Sequence, residues 1–257
     1  MVIGLKAFAA AFAGLEDRYV LIGGAAAHLR FRSVGLEFRT TRDLDLVLTI
    51  DALGTDFPNR FWAFIEDGDY EIRQRTDGSP IKYRFMKPSR AGFPHMIELF
   101  ADASFASDPA AEITPVPIDG EHSNLSAILL DEAYREVTAR HRSVVEGVSC
   151  LTARGLILLK ASAWLDLTAR REAGERIDSR DIKKHRNDGF RLAQLLDETD
   201  SPSVPPGPLE DLRLFLETDG GHQPHWPAIK AACKGLRPDD PETLIGIIRS
   251  SFEIPLA

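Results

Sequence analysis

The stretch from Asp43 to Leu48 constrains the fold more than any other part of this chain. It reads Asp-Leu-Asp-Leu-Val-Leu, an apolar run typical of a β-strand that carries two carboxylates two positions apart. Because side chains alternate between the faces of a strand, Asp43 and Asp45 are predicted on one face, with Leu44 and Leu46 pointing into a core. Two such carboxylates repel each other unless a cation lies between them, and Mg²⁺ suits them best. A solvent-exposed strand face is the alternative interpretation.

Two glycines upstream of this run add a second constraint. The apolar run Tyr19–Ile22 precedes Gly23 and Gly24, and residues 25–33 are rich in helix-forming side chains. The pattern predicts a strand, a glycine turn and a helix. Such a turn presents backbone N–H groups at a helix N-terminus, where a phosphate can approach. Two glycines alone more often form an ordinary tight turn, but here the two-aspartate run begins 19 residues after Gly24.

Together, the glycines and the segment Arg39–Leu48 resemble the signature of polymerase-β-type nucleotidyltransferases. The pattern is an apolar residue and Gly-Gly, then Arg-x-Thr-x-Asp-Leu-Asp-Leu, and it is most similar to the AbiEii/MenT-like group of bacterial proteins, many of them toxins of toxin–antitoxin pairs. The gap between glycines and aspartates is longer than in the shortest members and has room for a full helix. The resemblance implies an α/β (α+β) fold, with a mixed sheet flanked by helices.

The order of predicted elements divides the chain near residue 125. Residues 1–125 alternate between helices and strands, including an amphipathic first helix over Leu5–Phe12, a hairpin over 70–86 and a strand over 95–100. Residues 126–257 are mainly helical. We therefore expect an N-terminal nucleotidyltransferase domain, followed by a helical domain that closes over the cleft.

Two further acidic residues are candidates for the site. Glu98 has apolar neighbours on both sides, and the resemblance implies a third acid on the strand beside the aspartates, as metal ligand or base. A polar-face glutamate in an edge strand is the alternative. Asp181 resembles the aspartate of the family's Lys-Asp-apolar motif, which helps to organise the active site. Lys184, however, stands where many toxins repeat the aspartate, and Asp181 could simply pair with Lys184 or His185 along a helix.

Three basic residues are candidates for contact with nucleotide phosphates. Lys160 lies within an apolar run of the strongest predicted helix, from Leu151 to about Arg171. A charge buried there needs a partner, either a nucleotide phosphate, which the resemblance favours, or an internal Asp or Glu. Arg39 and Arg42 lie beside the aspartate strand and could contact phosphates, with structural salt bridges as the alternative.

The distribution of charge bears on partners and location. The chain has a net charge of −8, but residues 154–191 contain ten Lys/Arg and six Asp/Glu, a net of +4. This segment is the natural candidate for contact with phosphates, and a solvated helical face is the alternative. Two cysteines without metal or disulfide spacing indicate a reducing cytosol, and no run approaches the ~18 apolar residues of a membrane span. We therefore expect a cytoplasmic protein.

These observations predict a Mg²⁺-dependent nucleotidyltransferase that moves a nucleoside monophosphate from an NTP (ATP, CTP or other) to an acceptor hydroxyl and releases pyrophosphate. Gly23 and Gly24 would hold the β- and γ-phosphates. The acceptor remains open among tRNA, a protein and a small antibiotic-like molecule, with RNA favoured. A toxin role would add an antitoxin as partner. The alternative is an inactive relative that binds nucleotides or partner proteins without turnover.

Overall fold

The computed structural model describes residues 2–49, 52, 56–74, 80–100, 131–196, 203–220, 226–232, 235, 237 and 240–255. These residues form two compact units. The first contains the described residues up to 100 together with 142–151, and the second contains 131–141 and the described residues from 152 onward. The predicted boundary near residue 125 and the residues around it, 101–130, lie outside the described part of the chain.

The first unit is built around one mixed sheet. Its described strands are β1 (Tyr19–Ile22), β2 (Asp43–Leu48), β3 (Glu71–Gln74), β4 (Pro80–Met86), β5 (Met96–Phe100), β6 (Arg142–Val145) and β7 (Val148–Leu151), and its described helices are α1 (Leu5–Ala11), α2 (Gly23–Ser33) and α3 (Phe57–Gly68). The seven strands follow the order β3-β4-β5-β2-β1-β7-β6, with β1–β7 and β2–β5 parallel and the other neighbours antiparallel. Helices accompany the sheet, which confirms the predicted α/β class.

The sequence predictions for this unit hold well. Strands β1 and β2 have the predicted bounds, and β3 and β4 form the predicted antiparallel hairpin, although its turn at 75–79 lies outside the described residues. Helix α2 differs in one respect. It begins at Gly23 rather than after Gly24, so the glycines form its first turn instead of a separate loop.

A cluster of aromatic rings fills the core between the sheet and two of its helices. Phe8 and Phe12 of α1 stack with ring centroids 4.4 Å apart, and Tyr19 of β1 meets Phe8 edge-on at 5.2 Å. Phe57 and Phe61 of α3 continue the cluster, and all five rings are fully buried. Burial of this much aromatic surface fixes α1 and α3 against β1. The predicted amphipathic first helix is therefore confirmed.

The hairpin β6–β7 was assigned by sequence to the helical domain, but it belongs to the sheet of the first unit. Strand β7 pairs with β1 in parallel, with Leu21 opposite Cys150. Arg30 of α2 strengthens this junction, because its guanidinium donates to the carbonyl oxygens of Leu151 at 2.9 Å and Cys150 at 2.7 Å, and to Ser143 Oγ at 2.8 Å. The thiol of Cys150 is free and buried, and burial raises its pKa to about 11.

The second unit is helical in its described residues. Its helices are α4 (Glu132–Arg140), α5 (Ala153–Glu172), α6 (Ser179–Leu192), α7 (Pro206–Phe215), α8 (Trp226–Ala232) and α9 (Pro241–Ser251). Helix α5 packs against both α6 and α7, and Phe215 joins them, with its ring centroid 5.4 Å from Trp164 and 5.5 Å from Phe190. Asp178 caps α6 by accepting a hydrogen bond from the Arg180 N–H.

A membrane-spanning segment was not expected from the sequence. Among the described residues, no helix combines the length and the apolarity that crossing a bilayer requires.

Arg30→Ala should destabilise the first unit and loosen its hairpin β6–β7. The variant loses charge-assisted hydrogen bonds to two carbonyl groups, so we expect a loss of about 1.5–3 kcal/mol in urea unfolding. Hydrogen exchange of residues 142–151 should accelerate more than exchange of β2.

Arg32→Ala is the matched control, because Arg32 lies on the same helix and its ion pair with Glu146 is partly exposed. It should cost no more than about 1 kcal/mol. Equal losses in the two variants would contradict the role given to Arg30.

Candidate functional site

The two aspartates of β2 lie on the same face of the sheet, as predicted. Burial alternates along the strand: Leu44 and Leu46 are fully buried, whereas Asp43 and Asp45 are half-buried. The apolar residues anchor the strand in the core. Both carboxylates therefore remain partly accessible on the opposite face.

Glu98 joins this acidic pair through the sheet register. Strand β5 runs parallel to β2, with Glu98 directly opposite Asp45, so their side chains lie on one face. The edge-strand alternative is wrong, because β5 lies between β4 and β2. Glu98 is buried, and Arg84 of β4 contacts it with Nε 2.5 Å from Oε1. The guanidinium offsets the cost of burying a carboxylate beside two others.

Gly23 brings the start of helix α2 against Asp45. Ile22, the residue before it, is paired with Asp45 across β1 and β2. Gly23 has φ +67°, a backbone conformation that favours glycine, and a Cβ atom at this position would collide with Asp45 Oδ2. The backbone conformation therefore favours a glycine here, and any side chain would require the Asp45 carboxylate to move.

Gly24 is surrounded by a different pair of side chains. A Cβ atom built on it would lie 3.1 Å from Thr41 Oγ1 and 3.3 Å from Arg39 Nη2. The Arg39 guanidinium also lies over the ring of Phe38, with Cζ 5.4 Å from its centroid. Thr41 was not among the predicted site residues, although it is the threonine of the Arg-x-Thr-x-Asp pattern. This pattern could have identified Thr41 as a site residue from the sequence.

Arg42 occupies a different position from Arg39. It is exposed, and its backbone carbonyl accepts from the His95 N–H at 3.0 Å, extending the contact between the segments that lead into β2 and β5. The backbone of Arg42 thus has a structural role.

The electrostatics at the start of α2 favour an anion. The helix has no side-chain cap and no acidic residue in its first turn, so the positive end of its dipole is not compensated from within the helix. Arg39 and Thr41 add a cation and a hydroxyl at the same place. The first unit therefore brings a helix end whose dipole favours an anion next to two carboxylates.

Asp43 and Asp45 provide donors that fit Mg²⁺. Among the described residues, no group of three or more His, Cys, Asp or Glu side chains is arranged to hold a metal ion. Mg²⁺ commonly takes only one or two carboxylates and completes its octahedron with water and substrate phosphates. Two adjacent aspartates beside a helix N-terminus suited to a phosphate match that requirement, whereas Oε1 of Glu98 is already engaged by Arg84.

The remaining candidates, Lys160 and Asp181, lie in the helical unit. Lys160 is 5% exposed and Asp188 is 3% exposed, and the Lys160 Nζ lies 3.1 Å from Asp188 Oδ2. Lys160 thus has an internal acidic partner of the kind that the sequence left open as an alternative to a phosphate. Asp181 is exposed in the first turn of α6, where a carboxylate stabilises the helix dipole. Its role in a site stays a prediction.

The fold and site define an α/β protein in which two aspartates of one strand lie beside the N-terminus of a helix. No protein-family model matches the chain, and no curated protein matches it. One similar solved structure is an antigenic nucleotidyltransferase-like protein from Paracoccidioides brasiliensis, at TM-score 0.48 and 17% identity, covering 92% of this chain and 98% of that one. Another is the antibiotic-resistance factor ANT(2'')-Ia, at TM-score 0.32 and 14% identity, covering 84% and 86%. Both TM-scores are below 0.5, so neither similarity assigns a function to this chain.

Gly23→Ala should destabilise the protein more than Gly35→Ala. Both glycines have positive φ, +67° and +75°, but Gly35 has no heavy atom within 4 Å of an added Cβ. Gly35→Ala therefore measures backbone strain alone, about 1–3 kcal/mol, and Gly23→Ala adds the collision with Asp45. Urea unfolding gives both values.

A double-mutant cycle isolates the contact between Gly23 and Asp45. In an Asp45→Ala background, Gly23→Ala should cost no more than Gly35→Ala, because the colliding carboxylate is gone. An unchanged cost of Gly23→Ala in that background would exclude the close approach.

Lys160→Met should destabilise the helical unit by about 3–5 kcal/mol, because it leaves Asp188 buried without its cation. Lys160→Met/Asp188→Leu should recover most of this loss, since neither charge then remains. Lys184→Met, at an exposed position of α6, is the control and should change unfolding by less than about 0.5 kcal/mol.

The double variant also tests the nucleotide role predicted for Lys160. If Lys160 contacts a phosphate, NTP should bind about ten- to hundredfold more weakly to this double variant than to the wild type. Unchanged NTP affinity would assign Lys160 to the ion pair alone.

Proposed function

We propose that this chain is a Mg²⁺-dependent nucleotidyltransferase that moves a nucleoside monophosphate from an NTP to an acceptor hydroxyl. The observation that carries the proposal is the register of β1 and β2, which brings Asp45 against Gly23 at the first turn of α2. This register brings groups suited to a metal and groups suited to a triphosphate to one point of the first unit. The resemblance of the Arg39–Leu48 segment to polymerase-β-type nucleotidyltransferases supports the same reaction.

The start of α2 would bind the triphosphate. Backbone N–H groups of Gly23 and Gly24 would donate to phosphate oxygens, and Arg39 and Thr41 would add a guanidinium and a hydroxyl beside Gly24. These donors are fixed by the fold before substrate arrives. They would therefore stabilise the charge that develops on the departing pyrophosphate. Arg42, which is exposed beside the same strand, is a further candidate for phosphate contact.

Asp43 and Asp45 would hold the metal. When bound, Mg²⁺ neutralises charge on the phosphoryl oxygens and aligns the attacking and leaving oxygens. Glu98 would act on the acceptor side, as a further ligand or as the base that accepts the hydroxyl proton. Because Arg84 occupies Oε1, either role falls to Oε2. Asp181 and Lys160 enter this proposal only through the family resemblance.

A binding protein without turnover is the second candidate. It is favoured by the ion pair between Glu98 and Arg84, which neutralises the third carboxylate without a metal. Such a protein would bind NTP but release no pyrophosphate. Calorimetric titration of NTP with and without Mg²⁺, followed by a pyrophosphate-release assay, separates the two candidates.

The toxin role rests on the resemblance to the AbiEii/MenT-like group, and the choice of RNA as acceptor rests on the basic segment 154–191. We propose RNA as the acceptor, ahead of a protein or a small molecule. We also propose that the chain is the toxin of a bacterial toxin–antitoxin pair in the cytoplasm. An antitoxin would then be the cognate partner. Incubation with each labelled NTP and a cell extract would identify both the nucleotide and the fraction that receives it.

Asp43→Asn and Asp45→Asn should each abolish Mg²⁺-dependent pyrophosphate release without unfolding the chain. Removal of one negative charge weakens metal binding but relieves repulsion between the two carboxylates. In EDTA, thermal melting should therefore show both variants at least as stable as the wild type.

Asp17→Asn is the matched control, because Asp17 is exposed in the same unit and its carboxylate pairs with the neighbouring Arg18 at 3.3 Å. It should retain full turnover. Retained Mg²⁺-dependent transfer in either site variant would refute the proposed metal ligands.

A further inference from the structure

A cavity lies within the helical unit, between helices α5 and α6. Its volume is about 380 Å³, within the range of pockets that hold small ligands. Residues of both helices line it, from Trp164 on α5 to Arg186 on α6. The cavity therefore belongs to one unit and is formed by two helices that pack directly on each other.

The charge of the cavity lining favours an anion. Arg171, Lys183 and Arg186 line it together with one carboxylate, Glu172. Within the described part of the chain, Arg171 and Lys183 form no ion pair. Their neighbours do: Arg170 pairs with Glu175 at 2.7 Å, and Arg180 with Asp178 at 2.6 Å. Arg171 and Lys183 therefore bring positive charge to the cavity that no carboxylate of the described residues pairs with.

The rest of the lining suits a flat organic group. Trp164 and Ile182, both mostly buried, provide an aromatic and an aliphatic surface. Ser179, at the first position of α6, adds a hydroxyl. An aromatic surface beside basic groups is the combination with which proteins bind single nucleotides of a strand, through stacking and phosphate contacts.

We propose that this cavity binds one nucleoside monophosphate unit. The phosphate would contact Arg171, Lys183 and Arg186, and the base would lie against Trp164 and Ile182. A free nucleotide and a nucleotide within single-stranded RNA share this chemistry. The site takes no part in the metal-dependent step assigned to Asp43 and Asp45, so it is tested without turnover.

The experiment measures binding to the full chain carrying Asp43→Asn, in EDTA, so that a failure of the transfer reaction cannot affect the result. The probes are adenosine 5′-monophosphate, adenosine, inorganic phosphate and a 5′-phosphorylated oligoadenylate. The monophosphate should bind more tightly than either adenosine or inorganic phosphate, because only it occupies both parts of the cavity.

A pair of double variants tests the location. Arg171→Gln/Lys183→Gln should weaken binding of the monophosphate at least about tenfold, since two charge-assisted contacts are lost. Arg176→Gln/Lys184→Gln removes the same charge from exposed positions of the same basic segment that do not line the cavity, and affinity should stay within about twofold. Thermal melting checks that both variants are folded.

Three results would overturn the proposal: no binding of the monophosphate, equally tight binding of inorganic phosphate, or equal losses in the two double variants. The last would indicate a general basic face. The oligoadenylate identifies the source of the ligand. Tighter binding than the monophosphate, with a log–log salt slope of about −0.7 per phosphate contact, supports an RNA strand, and equal affinity supports a free nucleotide.

Discussion

The pairing of β1 with β2 is the constraint on which the rest of the site depends. With Ile22 opposite Asp45, the chain leaves β1 and enters α2 next to the carboxylate. A slip of one residue would turn Asp43 and Asp45 into the core and bring Leu44 and Leu46 to the open face. The alternation of leucine and aspartate therefore protects the geometry of the site through the hydrophobic effect. Gly23 contributes by having no side chain where Asp45 needs the space.

The two units differ in how deeply their charged side chains are buried and in how these side chains are paired. In the helical unit, Lys160 and Asp188 are almost fully buried and neutralise each other at 3.1 Å. In the first unit, Asp43 and Asp45 stay half-buried, whereas the buried Glu98 has an arginine against it. Buried charges without partners are costly, whereas half-buried carboxylates keep part of their hydration. The accessible acids of the first unit are accordingly better placed for an incoming metal than the ion pair of the helical unit.

Sequence patterns predicted β1 and β2 to the residue, because a four-residue apolar run and a strict alternation are strong local signals. The hairpin β6–β7 was missed, since the pairing of β7 with β1 depends on residues more than a hundred positions apart. The partner of Glu98 could not be predicted either. Arg84 reaches it only through the cross-strand register of β4 and β5. Asp188 likewise could not be predicted as the ion-pair partner of Lys160, because this contact depends on how α5 packs on α6.

The hairpin β6–β7 also gives the chain an interlaced connectivity. The polypeptide enters the helical unit with α4, returns to contribute two strands to the first unit, and then leaves again for α5. A fragment that stopped at the end of the first hundred residues would lack β7. The side of β1 that β7 covers would then expose unpaired backbone groups, which invite edge-to-edge association with other chains. The sheet is completed only after the helical unit has begun, so the two units are not separable as consecutive pieces.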